Sequence, residues 1–305
     1  MKNIKLKVPA TVANMVCGFD ILGMAIHKPY DEMELRLLDT SDIIIRHTDQ
    51  YELPETASQN VAGVVLLKMQ EELHLKNGFE VIIHKNIKPG SGLGSSAASA
   101  AGAAFGANIL LGNTLSKEEV VHFAMYGEEL ASGVRHADNI APCIYGGITL
   151  VKSSDPVDII PLRTPDLFVT AVHPQVEVKT SDARQILKKN VQLKDAIQQW
   201  GNVAGLVTGI LKNDFALIGR SLQDVIVEPV RSILIPGFDE VKEKSMEIGA
   251  LGGGISGSGP SIFMLSEQEE TARQIADMMK SVYETLQIES FVYISKINPE
   301  GIKTY

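Results

Sequence analysis

The chain has 305 residues, 45% hydrophobic and 21% charged, a globular composition long enough for two domains and unlike that of a disordered chain. Its formal net charge of −9 argues against a nucleic-acid partner, which calls for a basic face, but leaves a small anionic substrate open, because a local cluster can be basic on an acidic protein. Two cysteines, Cys17 and Cys143, exclude a disulfide framework. Residues 1–5 hold no apolar signal core, and the apolar-rich stretch 97–111 is short for a bilayer and broken by Gly102, Gly106 and Asn108, so the expectation is a cytoplasmic protein with no membrane partner.

Residues 4–8 read as a short strand, and residues 33–38 set Met33, Leu35 and Leu37 against Glu34 and Arg36 in strand period. Residues 43–46 are a third strand candidate. Residues 60–72 predict a helix with Val61, Val64, Val65, Leu67 and Met69 on a broad apolar side, and residues 79–83 a strand presenting Phe79, Val81 and Ile83. A helix from about Ser95 to Leu111 is apolar nearly all round, hence buried, and Gly112-Asn113 ends it. Ser116 and Glu119 form a capping box that opens the next helix, which stops at Gly133. After the turn Gly146-Gly147 and a strand at 148–151, Ser153-Ser154-Asp155-Pro156 is the best linker, giving expected domains 1–154 and 155–305. Strand signals at 167–172, 261–265 and 290–294 then mix with helix signals at 195–211, 216–224, 238–248 and 267–286, which points to α/β or α+β.

The run Pro89-Gly90-Ser91-Gly92-Leu93-Gly94-Ser95-Ser96 lies between a strand and a helix. Glycines let the backbone turn tightly and approach a ligand, and the helix start behind them offers unpaired N–H groups and a positive dipole end, so the run reads as a phosphate site. No Gly-Lys-Ser/Thr closes it, so it is not a Walker loop; the plainer alternative is a turn that only packs a helix on a sheet. Ser95 or Ser96 could donate to a phosphate or ligate Mg²⁺, which also wants a carboxylate. Glu128, on the helix side of Ala124 and Val121, is a candidate, against the reading of a solvated surface glutamate.

A literal G-x-G-x-x-G at Gly252, Gly254 and Gly257 follows a helix signal and precedes a strand signal, the reverse of a dinucleotide site. A loop approaching a ligand or the other domain is expected there. Residues 9–14 and Gly18-Phe19-Asp20 read as a loop-like stretch with Asx chemistry. Arg184 and Arg231 could each hold a carboxylate or phosphate or lie on the surface, and His136 reads as a loop histidine. There is no G-x-S-x-G elbow and no histidine or Cys/His metal spacing.

Three segments, Pro9-Ala10-Thr11-Val12-Ala13-Asn14, Pro89 to Ser99, and Gly253 to Pro260, resemble in order the three motifs of the GHMP kinases (galacto-, homoserine, mevalonate and phosphomevalonate kinases). Gly18-Phe19-Asp20, Leu22-Gly23, Ser132-Gly133, His136-Ala137-Asp138-Asn139, Ala141-Pro142, Ala183-Arg184 and Glu228-Pro229-Val230-Arg231 resemble the homoserine kinases among them. The resemblance implies an α+β, two-domain architecture: a ribosomal-protein-S5-like N-terminal domain that binds ATP, a ferredoxin-like C-terminal domain, and ATP between them. It also implies phosphorylation of the L-homoserine side-chain hydroxyl in threonine biosynthesis, and a homodimer.

Residue by residue, it implies that Pro89, Gly90, Ser91, Gly92, Leu93, Gly94, Ser95, Ser96, Ala97, Ala98 and Ser99 bind ATP, that Ser96 and Glu128 hold Mg²⁺, and that Asn60 and Lys85 lie near the adenine. Asn14 would face the substrate hydroxyl, Asp20 the ammonium, and Arg184 and Arg231 the carboxylate, with Thr180, His136 and Gly257 beside them. Asn139 stands where mevalonate kinases carry a catalytic aspartate, which implies transfer without an enzymic general base. A mevalonate-type kinase would leave Asp20 without an ammonium to bind, and a non-catalytic nucleotide-binding regulator would not need Ser96 and Glu128. The chain departs from the family in two places. Val16 replaces a usual glycine although valine resists positive φ, and Ile186-Leu187-Lys188 follows Arg184 where a Leu-Pro pair is common.

Overall fold

Leu6, Met33, Leu35, Val81 and Ile83 are each at most 2% exposed, and cross-strand pairing (Leu6 with Met33, Met33 with Ile83, Leu35 with Val81) stacks them on one face of a sheet. The computed structural model describes residues 2–178 and 180–305, with the side chains of residues 180–182 outside that description. In chain order the elements begin β1 (Asn3–Ala13), β2 (Leu22–Leu38), β3 (Ile43–His47), α1 (Val61–Glu72), β4 (Gly78–His84), α2 (Ser95–Leu110), α3 (Lys117–Ser132), α4 (Ile140–Tyr145), β5 (Ile148–Ser154) and β6 (Val157–Leu162). They continue with β7 (Phe168–Pro174), α5 (Thr180–Gln185), α6 (Leu193–Lys212), α7 (Phe215–Ser221), α8 (Glu228–Arg231), α9 (Phe238–Ile248), β8 (Gly252–Ile255), β9 (Ile262–Ser266), α10 (Glu269–Thr285), β10 (Ser290–Lys296) and β11 (Lys303–Thr304).

The first sheet runs β11-β1-β2-β4-β3, and β5 pairs with the first residues of β2 while β6 pairs with β5. Strand β2 is long because it serves two neighbours on one edge, β5 through residues 22–24 and β4 through residues 32–38. Helix α2 lies on β1 and β2 and packs against both α1 and α3, which also touch each other. Its small side chains are buried on nearly every side, as its all-round apolar sequence requires. The capping box of Ser116 and Glu119 opens α3, and Gly133 closes it at φ 77.

The second sheet is antiparallel, in the order β10-β7-β9-β8. Helices lead from β7 to β8, a hairpin from β8 to β9, and α10 from β9 to β10, which is the ferredoxin-like split βαβ arrangement. Its core sets Val172, Ile262 and Met264 against Phe238, Val241, Ile275, Met279 and Tyr283 from α9 and α10.

Three expectations change. Residues 9–13, read as loop, continue β1, because both faces of the strand are covered there and the alternation that marks residues 4–8 disappears. Residues 252–255 form strand β8 rather than a loop, and the loop is confined to residues 256–261. Ser153 and Ser154 end β5 and Asp155-Pro156 is the turn of the β5–β6 hairpin, so the boundary expected at 154/155 cuts a hairpin; the first sheet runs on to Leu162, and the passage to the second sheet falls within residues 163–167.

Candidate functional site

The glycine run turns the chain from β4 into α2. Gly90, Gly92 and Gly94 have φ of 74, 81 and 72. Gly94 is the N-cap of α2, with no side chain bonded to the first N–H groups, and a Cβ on it would overlap Thr11 Oγ1. The helix start is therefore open to an anion. The two serines separate: Ser95 Oγ donates to Ile87 O at 2.7 Å, whereas half-buried Ser96 lines a cavity beside Glu128. Ser91, Leu93, Ala97 and Ala98 are buried off the cavity, so those positions have no side chain to offer a nucleotide; Pro89, Gly90, Gly92, Gly94, Ser95, Ser96 and Ser99 line it.

Glu128 is 3% exposed, not a solvated surface residue, and its Oε1 is buried with no hydrogen-bond partner. Burial pushes its carboxyl pKa up, while the His136 charge and the Ser96 hydroxyl draw it back. His136 Nδ1 lies 2.8 Å from Asp138 Oδ1, and Nε2 lies 3.2 Å from Ser132 Oγ and 3.6 Å from Glu128 Oε2. Burial lowers the imidazole pKa, but the hydrogen bond and charge of Asp138, with Glu128 and Asp20, outweigh it and raise the value to about 9. His136 is thus an imidazolium at neutral pH. A carboxylate oxygen without a partner beside a hydroxyl suits a hard cation such as Mg²⁺, which takes few protein oxygens. Among the described residues no cluster of three His, Cys, Asp or Glu forms a complete metal cage.

In the lining of the same cavity, Asp20 accepts two hydrogen bonds from Arg184, at 3.0 and 2.9 Å. Arg231 is 2% exposed; its Nε donates to Ala183 O and its Nη1 to Gly257 O. Burial and the neighbouring Arg184 bring its pKa down to about 10, still charged at neutral pH. Both guanidiniums stand over the Phe19 ring, at 5.6 and 5.0 Å. Asn14 donates from Nδ2 to Gly257 O and accepts from Asp20 N–H, so it ties this corner together. Thr180 lies in α5, but its side chain is outside the described residues.

The backbone of this corner is strained. Asn14, Met15 and Val16 have φ of 70, 41 and 66, a left-handed run costing roughly 1–2 kcal/mol per L residue. Val16, where a glycine was expected, takes the glycine conformation regardless.

Asn139 Oδ1 accepts from Thr11 Oγ1 at 2.7 Å, beside Gly94. Asn60 caps α1 by accepting from the N–H groups of Ala62 and Gly63 and donates to Pro54 O. Lys85 forms an ion pair with Asp31 and donates to Ser95 O and Ser99 Oγ, so its three protons are committed under the start of α2. Both residues line the cavity, but their polar heads are occupied by the protein itself. His47, Leu53, Pro54 and Val61 complete that wall.

Of the site residues expected from the sequence, all except Thr180 and the four off-cavity positions border one cavity of about 340 Å³. Sequence reasoning missed Asp138 as the partner of His136, although the two are only two residues apart, and missed the buried pair of Lys85 with Asp31, 54 residues apart. The loop after β8 meets the glycine run directly, as expected of a loop approaching the other domain: Ser256 Oγ donates to Gly92 O and Ser261 N–H to Ser91 O.

Residues 60–147 match the family model of the GHMP kinases N terminal domain, and residues 206–285 that of the GHMP kinases C terminal domain. The chain is 44% identical to a homoserine kinase of Chloroherpeton thalassium, covering 99% of each chain, and 40% identical to one of Methanococcus maripaludis, covering 98% of this chain and 97% of that one. A crystal structure of homoserine kinase from Cytophaga hutchinsonii, 49% identical, superposes with a TM-score of 0.95 over 100% of this chain and 98% of that one. With this fold and this site, the chain belongs to the GHMP kinase family, among its homoserine kinases.

Proposed function

We propose that the protein transfers the γ-phosphoryl group of ATP to the side-chain hydroxyl of L-homoserine, giving ADP and O-phospho-L-homoserine on the way to threonine. The observation that carries this reading is one cavity bordered both by an open helix start and by Asp20, Arg184 and Arg231. Such a transfer needs alignment and charge stabilisation more than covalent help. Backbone N–H groups of the run cradle the phosphates, apart from those of Ser91 and Leu93, which are bonded to Lys88 O and Ser91 Oγ. Ser96 and the unpartnered Glu128 oxygen suit Mg²⁺. When bound, that ion neutralises charge on the phosphates. Asp20 takes the ammonium of the amino acid, Arg184 and Arg231 its carboxylate, and Asn14 faces the hydroxyl.

Neither Asn139 nor His136 serves as general base. The Asn139 amide cannot accept a proton at neutral pH, and His136, with its pKa near 9, is already protonated. The hydroxyl proton passes to the transferred group or to water. Asn139→Ala should retain binding and measurable turnover; loss of all turnover with binding intact would give Asn139 a chemical role.

The proposal extends to a cytoplasmic homodimer, as the resemblance implies, and light scattering that returned the mass of one chain would remove the dimer from it. The direct test of the reaction is ³¹P NMR of the protein incubated with MgATP and L-homoserine. A new phosphomonoester appearing with ADP supports it, and ATP that stays intact overturns it.

A further inference from the structure

Gln199 lies on α6, outside the cavity, and is 9% exposed. Both ends of its amide are used. Nε2 donates to Cys17 O at 2.8 Å, and Oε1 accepts from Val225 N–H at 3.0 Å. The first bond reaches the turn between β1 and β2; the second reaches the loop that opens α8. The first satisfies a buried carbonyl, for which the alternative to a partner is a desolvated orphan, and the second a half-buried N–H.

These two segments build the amino-acid end of the cavity. The β1–β2 turn carries Asn14, Phe19 and Asp20, and α8 carries Arg231. Asp224 holds the second segment by accepting from the N–H groups of Ile226, Val227 and Glu228. The first segment holds the left-handed run of residues 14–16, whose backbone bonds within the turn are Cys17 N–H to Met15 O and Gly18 N–H to Asn14 O, and whose distant tie is the Asn14 side chain on Gly257 O. A turn in sparsely populated backbone persists only where its surroundings over-determine it. Gln199 supplies a restraint 182 residues away in sequence, and the same side chain grips the segment that carries Arg231.

We propose that Gln199 is a positioning residue for the amino-acid end of the site, clamping the Asp20 turn to the Arg231 turn so that the two binding charges keep a fixed separation. It touches neither substrate nor reacting atoms. The inference rests on the function proposed above for its kinetic consequence, but the clamp itself exists or fails independently of the substrate.

Gln199→Leu removes both bonds and keeps much of the volume. The KM for L-homoserine should rise about tenfold, the consequence of losing roughly 1.4 kcal/mol of organisation, while the KM for ATP stays within about twofold. Amide hydrogen exchange should accelerate in residues 14–20 and 224–231 together and stay unchanged in residues 89–99. Equal changes in both KM values, no change in either, or acceleration confined to one of the two segments overturns the proposal. Gln199→Glu, which keeps the acceptor for Val225 and loses the amide donor to Cys17, is the second variant should the leucine chain not fold, and should accelerate exchange at 14–20 more than at 224–231; the reverse order overturns the clamp. If the unaltered protein does not phosphorylate homoserine, the function fails, and the exchange data still decide the clamp.

Discussion

Arg184 gives two of its five N–H groups to Asp20 and its buried Nε has no partner, so a carboxylate that takes the free edge of Arg184 meets the Asp20 charge beside it. A zwitterion does so without leaving a charge stranded, because its ammonium takes Asp20 as its carboxylate takes Arg184. A γ-hydroxy acid with no ammonium sets its carboxylate beside Asp20 with no cation of its own to offset that charge, in a cavity that already holds Glu128 and Asp138. 4-Hydroxybutanoate should therefore be at least 100-fold poorer than L-homoserine in kcat/KM, about 3 kcal/mol. Asp20→Asn should narrow that ratio at least tenfold by weakening homoserine; an unchanged ratio would detach Asp20 from the ammonium. His136 carries a pH signature. Its pKa is about 9 in the fold, against about 6.5 for an ordinary histidine. A raised folded pKa contributes stability that is complete below about pH 6.5 and is lost as pH rises through 9. Urea unfolding should show a falling midpoint from pH 6.5 to 9, and His136→Asn should flatten that slope; parallel slopes would contradict the Asp138 pairing. Ser96, Glu128 and the two arginines were legible in the sequence through their resemblance to a motif. The bidentate Arg184–Asp20 pair was not, because its partners are 164 residues apart and each reads alone as an ordinary surface charge.

The glycine run and α2 form a unit whose backbone is fixed by contact as well as by φ. Gly94 combines φ 72 with a close approach to Thr11, whereas Gly133, the C-cap of α3, has φ 77 and open space around it. Gly133→Ala should cost only the left-handed penalty, about 1–2 kcal/mol, and leave ATP binding unchanged. Gly94→Ala should cost more and raise the KM for ATP at least tenfold, because Thr11 or the helix start must move; equal effects of the two substitutions would refute a tight cradle. Elements with strong periodicity or caps were readable: α3 from its capping box, α9 over residues 238–248, and the run–helix junction from its glycines. The end of β1 and all of β8 were not. Full burial on both faces removes the alternation that marks a strand, and Gly252-Gly253-Gly254 has no side chains to alternate.

Across the whole molecule, a four-stranded ferredoxin-like sheet and a larger mixed sheet meet where the loop after β8 lies on the glycine run. That contact brings Gly257 O to both Asn14 and Arg231, so each part of the chain helps to complete the cavity. The α+β class and the order of the three motifs were readable from sequence. The seam between the sheets was not, because Ser153-Ser154-Asp155-Pro156 has the composition of a linker and a hairpin turn alike, and only strand pairing tells them apart. The central claim is that this cavity joins a phosphate cradle to a pocket for an amino-acid zwitterion. The measurement that tests it most directly is ADP release with MgATP and, in parallel, L-homoserine, L-serine, mevalonate and galactose. Turnover with L-homoserine at a kcat/KM at least 100-fold above each of the others is the predicted result. Comparable turnover with mevalonate or galactose would keep the cradle and contradict the zwitterion pocket.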